Sequence, residues 1–97
     1  MELDAPVPQQ LALYYSDFCF FCHKVRKCLD DLRLDIALRD VVGEAGNRAE
    51  LIAGGGKGQV PCLRMQYPDG RVEWMYESDD ICAWLRRHYG NAPRPAT

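Results

Sequence analysis

Hydrophobic positions along the chain fall into short runs whose period changes from segment to segment. Residues 11–15, Leu-Ala-Leu-Tyr-Tyr, form a continuous apolar run that predicts a buried strand, and Ser16-Asp17 ends it with a helix-start signal. From 20 to about 34, Phe21, Val25, Cys28, Leu29 and Leu32 recur at helical spacing, with Lys24, Arg26, Lys27, Asp30, Asp31 and Arg33 on the opposite side. Residues 36–42 alternate weakly and suit a second strand. Asn47 with Glu50 resembles a capping box, which predicts a short helix over 47–53 ended by Gly54, Gly55 and Gly56. Residues 60–67 and 71–76 read as strands joined through the turn Pro68-Asp69-Gly70. A last helix starts near Ser78, with Ile81, Trp84, Leu85 and Tyr89 as its buried stripe. Acidic Glu77, Asp79 and Asp80 lie at its start and Arg86 and Arg87 near its end, and Gly90 stops it. The order β-α-β-α-β-β-α predicts an α/β fold with helices on both faces of a four-stranded mixed sheet.

Length sets the domain count. Ninety-seven residues hold one core, expected over 11–89, with 1–10 and 90–97 as loose termini. Composition is ordinary for a globular protein, at 47% apolar and 27% charged. A net charge of −2 leaves no electrostatic footprint for nucleic acid or an anionic membrane. The first residues lack the basic start and apolar run of a secretory signal, and no stretch approaches the roughly 20 apolar residues that cross a bilayer. These features point to the cytoplasm. In that compartment the five cysteines, at 19, 22, 28, 62 and 82, are expected to serve packing, metal binding or redox chemistry instead of permanent bridges.

Only Cys19 and Cys22 are closely spaced, and they fall where the first strand passes into the first helix. A separation of three puts both sulfurs on one face of a helical turn. Unpaired N–H groups and the positive dipole end at a helix start favour a thiolate at Cys19, and Cys22 is placed to resolve a mixed disulfide. Lys24 and Arg26 add positive charge nearby, which Asp17 opposes. The bland reading, two small buried apolar residues, leaves the agreement of spacing, helix start and preceding strand unexplained. A structural zinc site needs four ligands with a second close pair, and Cys28, Cys62 and Cys82 are isolated in sequence. Cys28 and Cys82 are expected as packing residues on their helices, and Cys62 either as a buried strand residue or as a participant in redox or metal chemistry. The run Gly54-Gly55-Gly56-Lys57-Gly58 is not a phosphate loop, because no Ser or Thr follows the lysine and it leads into a strand.

The stretch from Tyr14 through Cys19-Phe20-Phe21-Cys22-His23-Lys24 to Val25 resembles the active-site segment of glutaredoxins. The later segments Gly58-Gln59-Val60-Pro61 and Glu77-Ser78-Asp79-Asp80-Ile81 resemble the same family's glutathione-binding elements, and they also resemble the N-terminal domain of glutathione transferases. The match covers residues 11–89. It implies a thioredoxin-like fold, with Pro61 as the family's cis-proline facing the active cysteines. It also implies a glutathione site built from Phe21, Lys57, Gln59, Val60, Pro61, Ser78 and Asp79. In that site the Val60 backbone pairs with the cysteine of glutathione. The γ-glutamyl carboxylate rests on N–H groups near Ser78 and Asp79, and the Asp79 carboxylate takes the ammonium. Lys57 and Gln59 meet the glycyl carboxylate. Each has a plainer role as well, Lys57 as a solvated loop charge and Ser78 and Asp79 as helix caps. The sequence departs from the family's most familiar active site by carrying Phe20 where proline follows the first cysteine.

The resemblance implies a glutathione-dependent thiol–disulfide oxidoreductase with Cys19 and Cys22 as catalytic residues, taking part in electron transport and cell redox homeostasis. Glutathione is its co-substrate and no metal is required. Its partners are glutathione and disulfide-containing or glutathionylated proteins, without nucleic acid or membrane, and the chain is expected to be a monomer. The alternatives are an iron–sulfur cluster or metal carrier using Cys19 and glutathione, and a non-catalytic glutathione-binding module.

Overall fold

The computed structural model describes residues 8–90. Its elements are β1 (Gln10–Tyr15), α1 (Phe20–Leu32), β2 (Ala37–Asp40), α2 (Ala45–Gly55), β3 (Cys62–Gln66), β4 (Val72–Met75) and α3 (Ser78–Tyr89). The expected order is therefore the observed one, in a four-stranded sheet ordered β2-β1-β3-β4. β1 and β2 run parallel across the α1 crossover, while β1/β3 and β3/β4 are antiparallel. Pairing begins just ahead of the expected Leu11: Gln10 lies opposite Gln66, and the Gln9 N–H donates to the Gln66 carbonyl at 2.8 Å. The expectation of a loose arm and tail otherwise falls on residues outside those described.

Alternation along β1 assigns the two layers. Leu13, with Leu11 and Tyr15 partly buried, faces α1 and α3 and joins Val25, Leu29, Leu63, Met65, Ile81 and Leu85 in the larger core. Ala12 and Tyr14 point to the other face and pack with Leu51 of α2, Val41 and Cys62. The strand is apolar on both sides because a helix covers each of its faces, which is why it reads as a run and not as an alternation.

Four expectations are corrected. Phe21 belongs to no buried stripe; it is exposed, and the inward face of α1 is Cys22, Val25, Cys28 and Leu29. The spacing 22, 25, 29 fits the helical period as well as 21, 25, 28 does, and the docking of α1 on the sheet chooses between them. The inward face of α3 likewise includes Cys82, with Trp84 and Tyr89 at its margin. The Asn47–Glu50 capping box does not form: α2 starts after Glu44, Asn47 Nδ2 donates to the Asp40 carbonyl at 3.0 Å, and Glu50 accepts from the Tyr14 hydroxyl at 2.5 Å. Tertiary partners outcompete the local reciprocal bonds. Finally, Cys28 and Cys82 are joined by a disulfide across the α1–α3 seam, with Cα atoms 6.1 Å apart.

The glycine run does two jobs. Gly56 caps α2 in the left-handed region at φ 95°, where its N–H donates to the Ile52 carbonyl. Gly54 and Gly55 lie inside the helix, and a Cβ there would collide with the Trp74 indole and the Tyr76 hydroxyl respectively. Their lack of side chains lets β4 and its following residue approach the helix backbone. Gly54→Ala is therefore expected to destabilise by about 1–3 kcal/mol, against the gain of about 1 kcal/mol that alanine brings to an open helix position. Urea unfolding of the two chains checks the sign.

Candidate functional site

The end of β1 delivers the chain to the site. Ser16 is buried, its Oγ accepts the Phe18 N–H at 3.1 Å, and its carbonyl accepts the Cys19 N–H at 3.2 Å. This tight turn sets Cys19 in extended conformation as the N-cap of α1, at φ −105° and ψ 117°. A cap residue has its side chain pointed back at the first free N–H groups of the helix, and here that side chain is a thiol. Cys19 Sγ accepts the Cys22 N–H at 3.4 Å and lies 3.8 Å from the Val60 carbonyl, to which a thiol proton would donate. The Val60–Pro61 bond is cis, as the sequence resemblance implied. Two segments 41 residues apart thus meet at one sulfur.

Cys22 is in a different situation, with no solvent exposure. Burial foremost, with the adjacent Cys19 adding to it, pushes its thiol from an ordinary value near 9 up to about 12. Cys62 follows the cis-proline but faces the α2 side of the sheet, and burial pushes its thiol to about 12 as well. A raised thiol pKa leaves the neutral, poorly nucleophilic form dominant at every pH below it. Iodoacetamide at pH 7.5 is therefore expected to alkylate Cys19 alone among the three free cysteines, with Cys22 and Cys62 labelled only after unfolding. Peptide mass mapping with and without guanidinium reads this directly.

The surrounding charges are placed differently from their linear positions. Arg26 bonds Asp17 at 3.0 Å and lies over the Tyr15 ring, so these two charges answer each other. Lys24 bonds Asp79 at the start of α3. This Lys24–Asp79 tie between helix starts was missed by sequence reasoning, since fifty-five residues separate the partners. His23 Nε2 is 2.8 Å from the Asp17 carbonyl and steadies the same turn.

Ser78 and Asp79 open α3, whose N-cap Glu77 makes no side-chain cap bond; the first N–H groups are left to other partners. The plainer reading of Ser78 and Asp79 as caps is thereby set aside. The Asp79 side chain is 81% exposed, so an incoming cation can reach it beside Lys24. Tyr76 organises the opposite wall: its hydroxyl donates to the Lys57 carbonyl at 3.0 Å and accepts the Lys57 N–H at 3.3 Å. Lys57 Nζ lies 4.7 Å from the centre of the Tyr76 ring. Gln59 is exposed, Val60 half-buried and Pro61 buried. Phe18, Phe20 and Phe21 form an exposed aromatic rim around Cys19, the last two in edge-to-face contact with centroids 5.5 Å apart. Phe18 was not singled out in the sequence, and its exposure is a property of the turn. Among the described residues no group of three or more His, Cys, Asp or Glu side chains is gathered to hold a metal. No helix among them is long and apolar enough to cross a membrane.

A β-α-β-α-β-β-α sheet with a cysteine capping α1 and a cis-proline turn against it defines a thioredoxin-like domain. The sequence model of the glutathione S-transferase N-terminal domain matches residues 13–93, and the chain belongs to that family. No curated protein matches it significantly. Among solved structures, glutathione transferase Omega 2S from Trametes versicolor is similar at TM-score 0.69 and 19% identity, over 91% of this chain and 40% of that one. A Bombyx mori glutathione transferase is similar at TM-score 0.66 and 23% identity, over 93% and 43%. The maleylacetoacetate isomerase from Anaeromyxobacter dehalogenans with bound GSH gives 0.65 and 24%, over 95% and 44%. The likeness to these structures is one of fold, and the chain spans less than half the length of each.

Proposed function

We propose that this chain binds glutathione and reduces glutathione mixed disulfides, with Cys19 as the nucleophile. The observation that carries the reading is the Cys19 sulfur held as the N-cap of α1 against the Val60 carbonyl. Cys19 thiolate attacks the glutathione sulfur of a mixed disulfide, forming a Cys19–glutathione bond while the substrate thiolate departs and takes a proton. A second glutathione thiolate then attacks the glutathione sulfur on Cys19, giving glutathione disulfide and restoring Cys19. Buried Cys22, with its thiol pushed up to about 12, is a poor competitor for that second step. Its contribution is the backbone N–H it aims at Cys19.

In this reading the glutathione cysteine pairs with the Val60 backbone, and the γ-glutamyl carboxylate takes the first N–H groups of α3 at Ser78 and Asp79. The ammonium lies at Asp79, and Lys57 and Gln59 reach the glycyl carboxylate. Phe21 and the rest of the aromatic rim receive apolar groups flanking the substrate disulfide. The test is glutathione-dependent turnover of a small mixed disulfide by the full chain; no turnover in the parent overturns the reading. Transfer of glutathione to an electrophile is the second reading, favoured by the family match. Conjugation of a chloronitroarene without mixed-disulfide reduction would select it.

A further inference from the structure

The Cys28–Cys82 bridge lies away from the Cys19 turn, on the seam where α1 packs against α3. Both cysteines line a surface groove of about 330 Å³ between the two helices, although little of either residue is exposed, 4% and 2%. Four other charges on this groove cancel in pairs, Lys24 with Asp79 and Lys27 with Asp31. Arg86 is the exception. It forms no ion pair among the described residues, and its Nη2 lies 3.2 Å from Cys28 Sγ.

A guanidinium in contact with one sulfur of a disulfide distinguishes the two ends. It stabilises negative charge on Cys28, and the sulfur with the more stable thiolate is the better leaving group. The same uncompensated cation attracts an anion into the groove. We propose that the Cys28–Cys82 bridge is a second thiol-exchange site, separate from Cys19 and Cys22, whose partner is a small anionic thiol.

In the first step the incoming thiolate bonds to Cys82 Sγ, the Sγ–Sγ bond breaks, and Cys28 leaves as a thiolate beside Arg86. A second thiolate then attacks the partner's sulfur in the mixed disulfide, releasing the partner's disulfide and Cys82, and the two cysteines take up two protons. Two partner thiols are oxidised as one protein disulfide is reduced; the partner's disulfide is the oxidant that runs the sequence backwards. Lys24–Asp79 ties the same seam one turn nearer the helix starts, so the bridge and the ion pair together hold α1 to α3.

The experiment uses the full chain carrying Cys19→Ser, so that exchange at Cys19 contributes nothing and the outcome is independent of the function proposed above. The protein is equilibrated at pH 7.5 in mixtures running from reduced glutathione to glutathione disulfide, quenched with an alkylating agent, and mapped by peptide mass. The Cys28–Cys82 peptide pair is expected to pass from dithiol to disulfide across the series. Opening by anionic mercaptoethanesulfonate is expected to be faster than by neutral mercaptoethanol at equal thiolate concentration. Arg86→Gln is expected to slow opening by mercaptoethanesulfonate about three- to fivefold. A bridge that persists in excess reduced thiol is a structural staple and overturns the proposal. Equal rates with the two thiols, or a rate indifferent to Arg86→Gln, also overturn it.

Discussion

Cys19→Ser is expected to lower glutathione-dependent mixed-disulfide reduction by at least about a hundredfold, while Cys22→Ser retains most of the parent rate. The asymmetry follows from two positions one helical turn apart. Cys19 caps α1, is partly accessible, and receives the Cys22 N–H on its sulfur. A serine hydroxyl keeps the cap hydrogen bond but is a far weaker nucleophile toward sulfur, so the fold survives and the chemistry does not. Cys22 offers its sulfur to the core and its backbone N–H to Cys19. Serine there removes the thiol and leaves that N–H in place. Because Cys22 is fully buried, the substitution is expected to cost stability, and rates belong at a temperature well below the unfolding midpoint. Initial rates with a glutathione mixed-disulfide substrate, at matched folded fractions from circular dichroism, check both variants. Equal loss in the two would mean that Cys22 takes part in the chemistry through its sulfur.

Leu13→Ala is expected to destabilise the fold by about 3 kcal/mol, the middle of the range for deleting a buried leucine side chain. Leu13 has no solvent exposure, sits in the central strand β1, and lies opposite Leu63 of β3, itself fully buried. It faces the seam of α1 and α3, where Val25, Leu29, Ile81 and Leu85 meet. The sheet behind it cannot collapse inward without breaking pairing on both edges of β1, to β2 and to β3, so the cavity persists. For a domain of this size the corresponding fall in Tm is on the order of 15 °C. Thermal unfolding followed by far-UV circular dichroism measures it. The double variant with Leu63→Ala is expected to cost less than the sum of the two singles, because both side chains line one void.

Much of the candidate site's framework was legible because its parts are local. The strand-to-helix transition at Ser16-Asp17, the Cys19-x-x-Cys22 spacing, the hairpin turn at Pro68-Asp69-Gly70 and the acidic start of α3 depend on residues within a few positions of one another. The fold order follows from the same short-range periodicities, and the resemblance to glutaredoxins and glutathione transferases named the cis-proline turn in advance.

What the sequence could not decide is which side of a helix faces inward and which distant charges and sulfurs meet. In α1 the cysteine at 22 and the phenylalanine at 21 fit a helical stripe almost equally well, and only docking on the sheet buried the first and exposed the second. Asn47 and Glu50 had a local partnership available, yet Asp40 and Tyr14 from neighbouring strands took them. Lys24 found Asp79, and Cys28 found Cys82, across chain separations of 55 and 54 residues. Sequence by itself determined the elements, their order and the thiol at the start of α1, since backbone preference and hydrophobic period act over a few residues. Tertiary structure decided that Cys22 is buried while Cys19 stays partly accessible, and it closed the α1–α3 seam, since burial and pairing depend on what the rest of the chain brings alongside.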